Sequence, residues 1–341
     1  MSDRIALADV AGYAHRVEAL GFDTLHVPET VHDAMMVSLL ALQATTRLRV
    51  ASSVVLAFVR SPMLVAYTAW DLAAVSGGRF ELGLGSQIRQ NIEGRYSMPW
   101  SEPVGRMREY VESLRAIWHS FASGEPLHYV GEHYAFTRLQ PFFNPGNHQA
   151  GAPPILLGGV NERICGLGGS HADAFVTHPT NSNPRYLREF CLPRLDEAAA
   201  AAGRPRPRVV TGSMFVTGRT AVDVAASREH IRATLAFLYT TPAYRRTLEL
   251  FGWAELGARL QHMTCEGAWD RLDSLLTDEV LDAIVPQGGW DELPALVEGW
   301  FGGLVDGVML PAPADPINDA EFADVISAIH ALGSDGASET A

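Results

Sequence analysis

The chain has 341 residues, 47% of them hydrophobic, and carries a formal net charge of −13 at pH 7. That supplies core for one large α/β domain or two smaller ones, and a surface potential of this sign repels phosphate backbones and anionic lipids, so neither nucleic acid nor membrane is an expected partner. No window reaches the roughly 18 consecutive apolar residues of a membrane span, and the polar, mixed start MSDRIALADV lacks the order of a secretory leader, which makes a cytoplasmic protein the expectation.

Asp9 to Leu20 has helical apolar spacing and is stopped by Gly21. Thr24–Val27 is a strand, Ser38–Thr45 a helix, and Arg49–Val55 a buried β-branched strand. Pro62–Ser76 is a helix with proline in its first turn and Gly77-Gly78 after its end. Phe80–Gly85 is a strand and Val104–Phe121 a long helix. Pro126–Phe136 reads as a hairpin, followed by a Pro/Gly-rich loop over Pro141–Pro154. Next come strand Ile155–Gly159, helix Glu162–Gly169, strand Ala174–His178, helix Pro184–Gly203 and strand Arg208–Val216. Thr220 to about Ala283 is almost wholly helical, broken at Pro242 and Gly252. Asp306–Leu310 is the last strand, Ile317–Leu332 the closing helix, and residues 333–341 a disordered tail.

Strands alternating with longer amphipathic segments argue βαβ units around a parallel sheet. The units fit a single α/β domain of the (β/α)8 TIM-barrel class over residues 1–332, with insertions at about 122–153 and 240–286. A doubly wound open sheet needs a G-x-G-x-x-G fingerprint after the first strand, and none is there. The first barrel strand is short or missing: either Arg4–Leu7 is a stub that closes the barrel, or the chain starts downstream of that strand. Three well-separated cysteines (Cys165, Cys191, Cys265) without C-x-x-C spacing argue against a disulfide framework or zinc site. All 26 cationic side chains are arginine, which excludes lysine Schiff-base chemistry.

Residues just after strands carry chemistry in such a fold. In LLGGVNER (Leu156–Arg163), Gly158 and Gly159, with Val160 following, let backbone approach a ligand, and the next helix N-terminus offers free N–H groups to a phosphate. His178 closes the sixth strand's exit, and its alternative is a histidine bonded to loop backbone. Glu29 and His32 follow the second strand, and a histidine there could serve as proton donor or base. Clustered His and carboxylate ligands such as H-x-H are missing from the strand ends, so a metal-dependent hydrolase is not expected.

The segment ASSVVLAFVRSPMLVAYTAWDLAAVSGGRFELGLG (Ala51–Gly85) has a strand ending near Ser-Val, Arg-x-Pro beyond it, a helix ending SGGRF, and then LGLGS. It resembles the luciferase-like monooxygenases and coenzyme F420-dependent oxidoreductases. GSQIRQNIEGRYSMPWSEPVGRMREYVESLRAIW, GEHYAF, PPILLGGV and AFVTHPTNSNPRYLREFCLPRL continue the pattern in order to about Gly203.

The resemblance implies a cytoplasmic, homodimeric oxidoreductase with a three-ring cofactor, either coenzyme F420 or FMN. It implies hydride exchange between F420 and a small organic substrate, or an FMN-dependent monooxygenase with a separate reductase partner, or a catalytically idle cofactor-binding relative. It further implies a non-prolyl cis peptide between Ser53 and Val54 against the ring, whereas by itself SSVV reads as plain core strand. Gly85 and Ser86 would give the ring access. Asn91 matches a cofactor-contacting position, and a helix cap is its other reading. Glu29 would touch the cofactor. Some relatives carry Asp-His after the second strand; this chain has Glu29-Thr30 with His32 two residues on, which departs from their acid/base arrangement. The region Thr240–Pro286, with Trp253, Met263 and Trp269, carries no motif and is expected to pack as core.

Overall fold

The computed structural model describes Met1 and residues 4–335, and by density of contacts the chain divides into two compact units. Among the described residues, the first comprises those up to Gly158 together with Ser170–Ala174; the second comprises Gly159–Gly169 and those from Phe175 onward.

In the first unit a 3-10 turn, Leu7–Asp9, leads into α1 (Val10–Ala19). Ile5 and Ala6 are not strand, so the described N-terminus forms no stub and the first strand is β1 (Thr24–Val27). There follow α2 (Ala34–Ala44), β2 (Arg49–Ser52), β3 (Val55–Leu56), α3 (Pro62–Ser76), β4 (Phe80–Gly85), α4 (Arg89–Gly94) and α5 (Pro103–Ser123). A short antiparallel hairpin, β5 (Tyr129–Val130) with β6 (Ala135–Phe136), precedes β7 (Ile155–Gly159). The strands pair in parallel in the order β1-β2-β4-β7, with β3 also on β4. β4 is buried at every position, the signature of a strand covered on both faces.

Two sequence expectations shift here for identifiable reasons. α2 starts four residues earlier than its apolar spacing suggests because Asp33 caps it, accepting from Met35 N at 2.8 Å and Met36 N at 3.2 Å. The expected continuous strand Arg49–Val55 is two short strands, because the Ser53–Val54 peptide between them is cis, as the resemblance implied.

In the second unit α6 (Glu162–His171) precedes β8 (Ala174–Thr177). α7 (Pro184–Tyr186) passes through a π-helical turn, Leu187–Cys191, into α8 (Leu192–Ala201). β9 (Arg208–Thr211) pairs with β8 and later with β12 (Gly307–Val308). The expected strand Arg208–Val216 breaks at Gly212: Val216–Gly218 is a separate β10, paired in parallel with β11 (Gln287–Gly289), a strand too short to show periodicity. Between them run α9 (Ala221–Leu238), α10 (Arg246–Leu250), α11 (Ala254–Cys265) and α12 (Asp278–Ile284). The breaks fall at Pro242 and Gly252 as expected, Gly252 at φ 82°. Leu235, Tyr239, Leu248, Leu260 and Leu281 are fully buried in one cluster, so residues 240–286 present one packed apolar face, with Trp253 and Met263 at its edge and most other positions at least partly exposed. Trp269 is 55% exposed instead. α13 (Leu293–Phe301) and α14 (Asp319–Asp335) complete the unit; α14 extends past Leu332 into the expected tail, whose remainder lies outside the described residues. Among the described residues no helix is long and apolar enough to cross a membrane.

One buried charge organises the turn before β2. Glu18 of α1 accepts the backbone N–H groups of Thr46, Arg47 and Leu48 at 2.8, 2.6 and 2.8 Å. Burial by itself raises the Glu18 carboxyl, but the three N–H donors outweigh it and hold the pKa below the ordinary carboxylate value. Its stabilisation is therefore present above the ordinary carboxylate pKa and is lost as pH falls through the lowered one. Glu18→Gln is expected to cost about 2–3 kcal/mol in urea denaturation at pH 7. The gap to the parent should close on acidification; a gap that stays constant with pH contradicts this account.

Candidate functional site

In the first unit the exits of β1, β2 and β4 carry most of the expected residues. Ser52 stands where β2 stops pairing, and its hydroxyl replaces a ladder rung: Oγ donates to Gly83 O at 3.0 Å and accepts from Gly83 N at 2.8 Å. Ser53 N donates to Val27 O at 2.7 Å, and its Oγ lies 3.2 Å from His26 Nδ1. A Cβ on Gly85 would collide with Val54 Cγ2, so glycine is what lets the Val54 side chain lie against the end of β4.

Glu29 is spoken for. One carboxylate oxygen accepts from Leu56 N at 2.9 Å, and the other pairs with Arg60 Nη2 at 2.6 Å, with the side chain only 6% exposed. Arg60 also reaches Asp33 at 2.8 Å. Burial raises the Asp33 carboxyl, but Arg60 and the capped N–H groups win and lower it. The Arg60 main chain is fixed in turn, because its carbonyl accepts from the Tyr110 hydroxyl at 3.3 Å. Glu29 thus holds the segment after β3 in place. His32 donates from Nε2 to Ile5 O at 3.1 Å, which leaves Nδ1 as the acceptor in its neutral form.

After β4 the chain turns sharply at Gln87, at φ 60°, whose own Oε1 accepts from Ile88 N at 2.9 Å. Ser86 Oγ donates to Gln87 O at 3.2 Å. The left-handed residue had no sequence signal, since glutamine has no preference for that region. Asn91 lies inside α4, whose N-cap position is Ile88, so it is not the helix cap; its amide has no hydrogen-bond partner among the described residues. Sequence reasoning also missed Arg106, whose guanidinium lies 4.4 Å over the Phe58 ring and donates to Tyr134 Oη at 2.9 Å. Trp100 meets Phe58 edge-on at 6.0 Å.

The second unit holds the other expected residues. A Cβ on Gly159 would fall on the Ile164 side chain, so this glycine serves close packing of the turn on α6. Val160 is buried, with its carbonyl accepting from Tyr186 Oη at 3.1 Å. Asn161 Oδ1 takes Ile164 N at 3.0 Å, and Glu162 in the first turn pairs with Arg194 at 3.5 Å. The N-terminus of α6 is therefore partly satisfied by its own chain. Gly158 closes the first unit, at the end of β7.

His178 is half-buried at the exit of β8, where it begins the 3-10 turn Pro179–Asn181. Its Nδ1 lies 2.7 Å from Thr180 Oγ1 and accepts from Thr180 N at 3.4 Å. The ring stacks on Tyr244 at 4.1 Å and 20°. Burial pushes its pKa down to about 4.

Two outcomes follow from this geometry. Gly159→Ala should lower stability by about 1–3 kcal/mol through overpacking, and Ile164→Ala added to it should recover part of that loss. A neutral Gly159→Ala, read by urea denaturation, would mean the glycine serves ligand approach alone. For His178 the folded pKa lies below the unfolded ~6.5, so the unfolded state binds the extra proton between them. Stability is complete above pH 6.5 and drains as pH falls toward 4. The melting temperature of His178→Asn should decline less over that range than that of the parent.

A family model for luciferase-like monooxygenases matches residues 1–307. An uncharacterised protein of Mycobacterium tuberculosis (strain ATCC 25618 / H37Rv) is 38% identical over 305 residues, 89% of each chain. A second protein of that strain, provisionally named a coenzyme F420-dependent oxidoreductase, is 26% identical over 323 residues, 89% of this chain and 90% of its own. Among solved structures, the coenzyme F420 dependent tetrahydromethanopterin reductase from Methanopyrus kandleri aligns with TM-score 0.73 at 17% identity, covering 93% of this chain and 94% of its own. The oxygenating constituent of 3,6-diketocamphane monooxygenase from Pseudomonas putida, in complex with FMN, aligns with TM-score 0.65 at 17% identity over 96% and 93%. At these identities the structural likeness establishes the fold, the α/β TIM-barrel class that strand and helix alternation predicts. The chain belongs to the luciferase-like monooxygenase family, a family of flavin- and deazaflavin-dependent oxidoreductases and monooxygenases.

Proposed function

We propose that this protein exchanges a hydride between a small organic substrate and coenzyme F420. The observation that carries the reading is likeness, over about nine tenths of both chains, to a relative named for that cofactor. The F420-dependent reductase is also the nearer in fold of the two structures compared, at TM-score 0.73 against 0.65.

The residues present fit such a group. A flat ring needs a wall of backbone and small side chains with polar groups at its edge, and Gly85, Ser86 and Val54 supply the former while the unpartnered Asn91 amide supplies the latter. Within the first unit, Asn91 and Ser86 would hold ring or side chain, Ser53 and Val54 would form the surface the ring rests on, and Gly158 at the end of β7 would approach the phosphate. Coenzyme F420, when bound, supplies an obligate hydride carrier that reacts poorly with oxygen, so the chain's task is orientation and proton management. Glu29 keeps Leu56 and Arg60 in place as a positioning residue, and His32, with Nε2 donating to Ile5 O, would keep Nδ1 as a proton acceptor. In the second unit His178, half-buried at the end of β8, offers its Nε2 face to the substrate.

A homodimer belongs to the same proposal. Met36 on α2 and Leu64 and Val75 on α3 are 58%, 64% and 58% exposed, an apolar surface suited to a second copy; light scattering giving a monomer mass would refute it. For the cofactor, purified protein is titrated with F420 and with FMN. Saturable deazaflavin binding is expected, weakened about tenfold in Asn91→Ala by loss of one hydrogen bond, with unfolding unchanged. Tight FMN binding without affinity for the deazaflavin overturns the assignment in favour of a monooxygenase that needs a reductase partner. Stoichiometric binding without reduction by any donor identifies an idle relative.

A further inference from the structure

We infer that the segment from Tyr239 to Thr247 fixes His178 as an imidazole, neutral at physiological pH, whose Nε2–H donates to the oxygen of an uncharged carbonyl substrate. The inference deepens the oxidoreductase reading and rests on it. Every residue involved lies in the second unit.

The argument starts from backbone groups, whose polarity cannot change. Thr247 N donates to Asn181 Oδ1 at 3.1 Å, and Tyr244 O accepts from Asn181 Nδ2 at 3.0 Å. A swapped amide would face donor to donor and acceptor to acceptor, so the Asn181 orientation is determined. Its Nδ2 then donates to Thr180 Oγ1 at 2.9 Å, which fills one lone pair of that oxygen and leaves its single proton available to His178 Nδ1, 2.7 Å distant. The backbone N–H of Thr180 points at the same nitrogen from 3.4 Å. Two donors converge on Nδ1, so Nδ1 carries a lone pair and the ring proton sits on Nε2.

Protonation would set Nδ1–H against an N–H that cannot rotate, and no charged group offsets the cost. The depressed His178 pKa has burial as its one cause, with no carboxylate or guanidinium contributing. The groups around the ring are neutral: the Tyr244 ring stacked on one face, Thr180 at Nδ1, and Asn181 behind it. Tyr239 Oη closes the arrangement by donating to Thr180 O at 2.9 Å. Nε2 has no partner among the described residues. A neutral N–H donor at a buried strand exit can bind a carbonyl oxygen, and with no positive charge beside it nothing offsets the cost of desolvating a carboxylate there, so an uncharged carbonyl is the acceptor it suits. The part of the chain that carries no motif is thus what sets this residue's chemistry.

The test uses the whole protein labelled with ¹⁵N-histidine, with His178→Gln to assign the resonance. Two-bond proton–nitrogen spectra from pH 8 to 4.5 should show one histidine with an unprotonated Nδ1, a protonated Nε2 and no midpoint above about 5. Tyr244→Ala should raise that midpoint by about two units toward the unperturbed value, while Tyr244→Phe, which keeps the ring, should leave it low. Cyclohexanone should shift the Nε2–H resonance and cyclohexylammonium should not. Ketone affinity should fall about tenfold in His178→Leu and stay within about threefold in His178→Gln, whose amide still donates. An Nδ1–H tautomer, a parent midpoint near 6.5, an unmoved midpoint in Tyr244→Ala, or unchanged ketone affinity in His178→Leu would overturn the inference. F420 titration of the same samples separates the two failures. Absent deazaflavin binding defeats the oxidoreductase reading whatever the tautomer, and a normally titrating His178 beside intact F420 binding defeats the inference alone.

Discussion

Where a parallel strand ends, its N–H and C=O groups lose their ladder partners and something else must satisfy them. In this protein side chains do so, and each becomes a fixed point around which an exit loop is built. Ser52 bridges both polar groups of Gly83 where β2 stops. Glu29 takes Leu56 N after the cis peptide. Thr177 Oγ1 takes Gly212 N, and Asn181 takes the backbone of Thr247 and Tyr244. An unmade buried hydrogen bond costs about 1–3 kcal/mol, so these residues are held by stability and orient their neighbours as a consequence.

That constraint sorts the polar residues by what remains of them. A carboxylate with both oxygens engaged, as in Glu29, acts through what it holds. A histidine with one nitrogen engaged, as in His32 or His178, keeps the other for chemistry, and its partner decides which role is left. A carbonyl on His32 Nε2 leaves an acceptor; two donors on His178 Nδ1 leave a donor. In their neutral forms two histidines of one chain thus carry opposite polarity.

Charge is used sparingly at these places despite the acidic composition. Arg60 between Glu29 and Asp33 is a closed arrangement, and Arg106 lies over the Phe58 ring. Glu18 is compensated chiefly by backbone amides, with the Arg47 and Arg79 guanidinium groups adding charge at longer range. Guanidinium groups suit such roles because their fork reaches several acceptors at once, as Arg79 does with the carbonyls of Leu42, Thr45 and Leu48.

The sequence alone determined whatever depends on neighbouring residues. Thr24–Val27, Pro62–Ser76, Phe80–Gly85 and Ile155–Gly159 have the bounds their apolar runs and punctuation imply, because propensity, capping and burial agree there. The cis bond at Ser53 was legible only through family resemblance, since SSVV alone reads as core strand. Only the tertiary structure decided where α2 begins, why Arg208–Val216 is two strands, that Gly159 packs on Ile164, and that Asn91 lies within a helix and not at its cap. It alone placed the protons on His178, through Thr247, 69 positions further along the chain and brought against Asn181 by folding. Polarity at a site is set by which groups fold together, and residue order records no such distances.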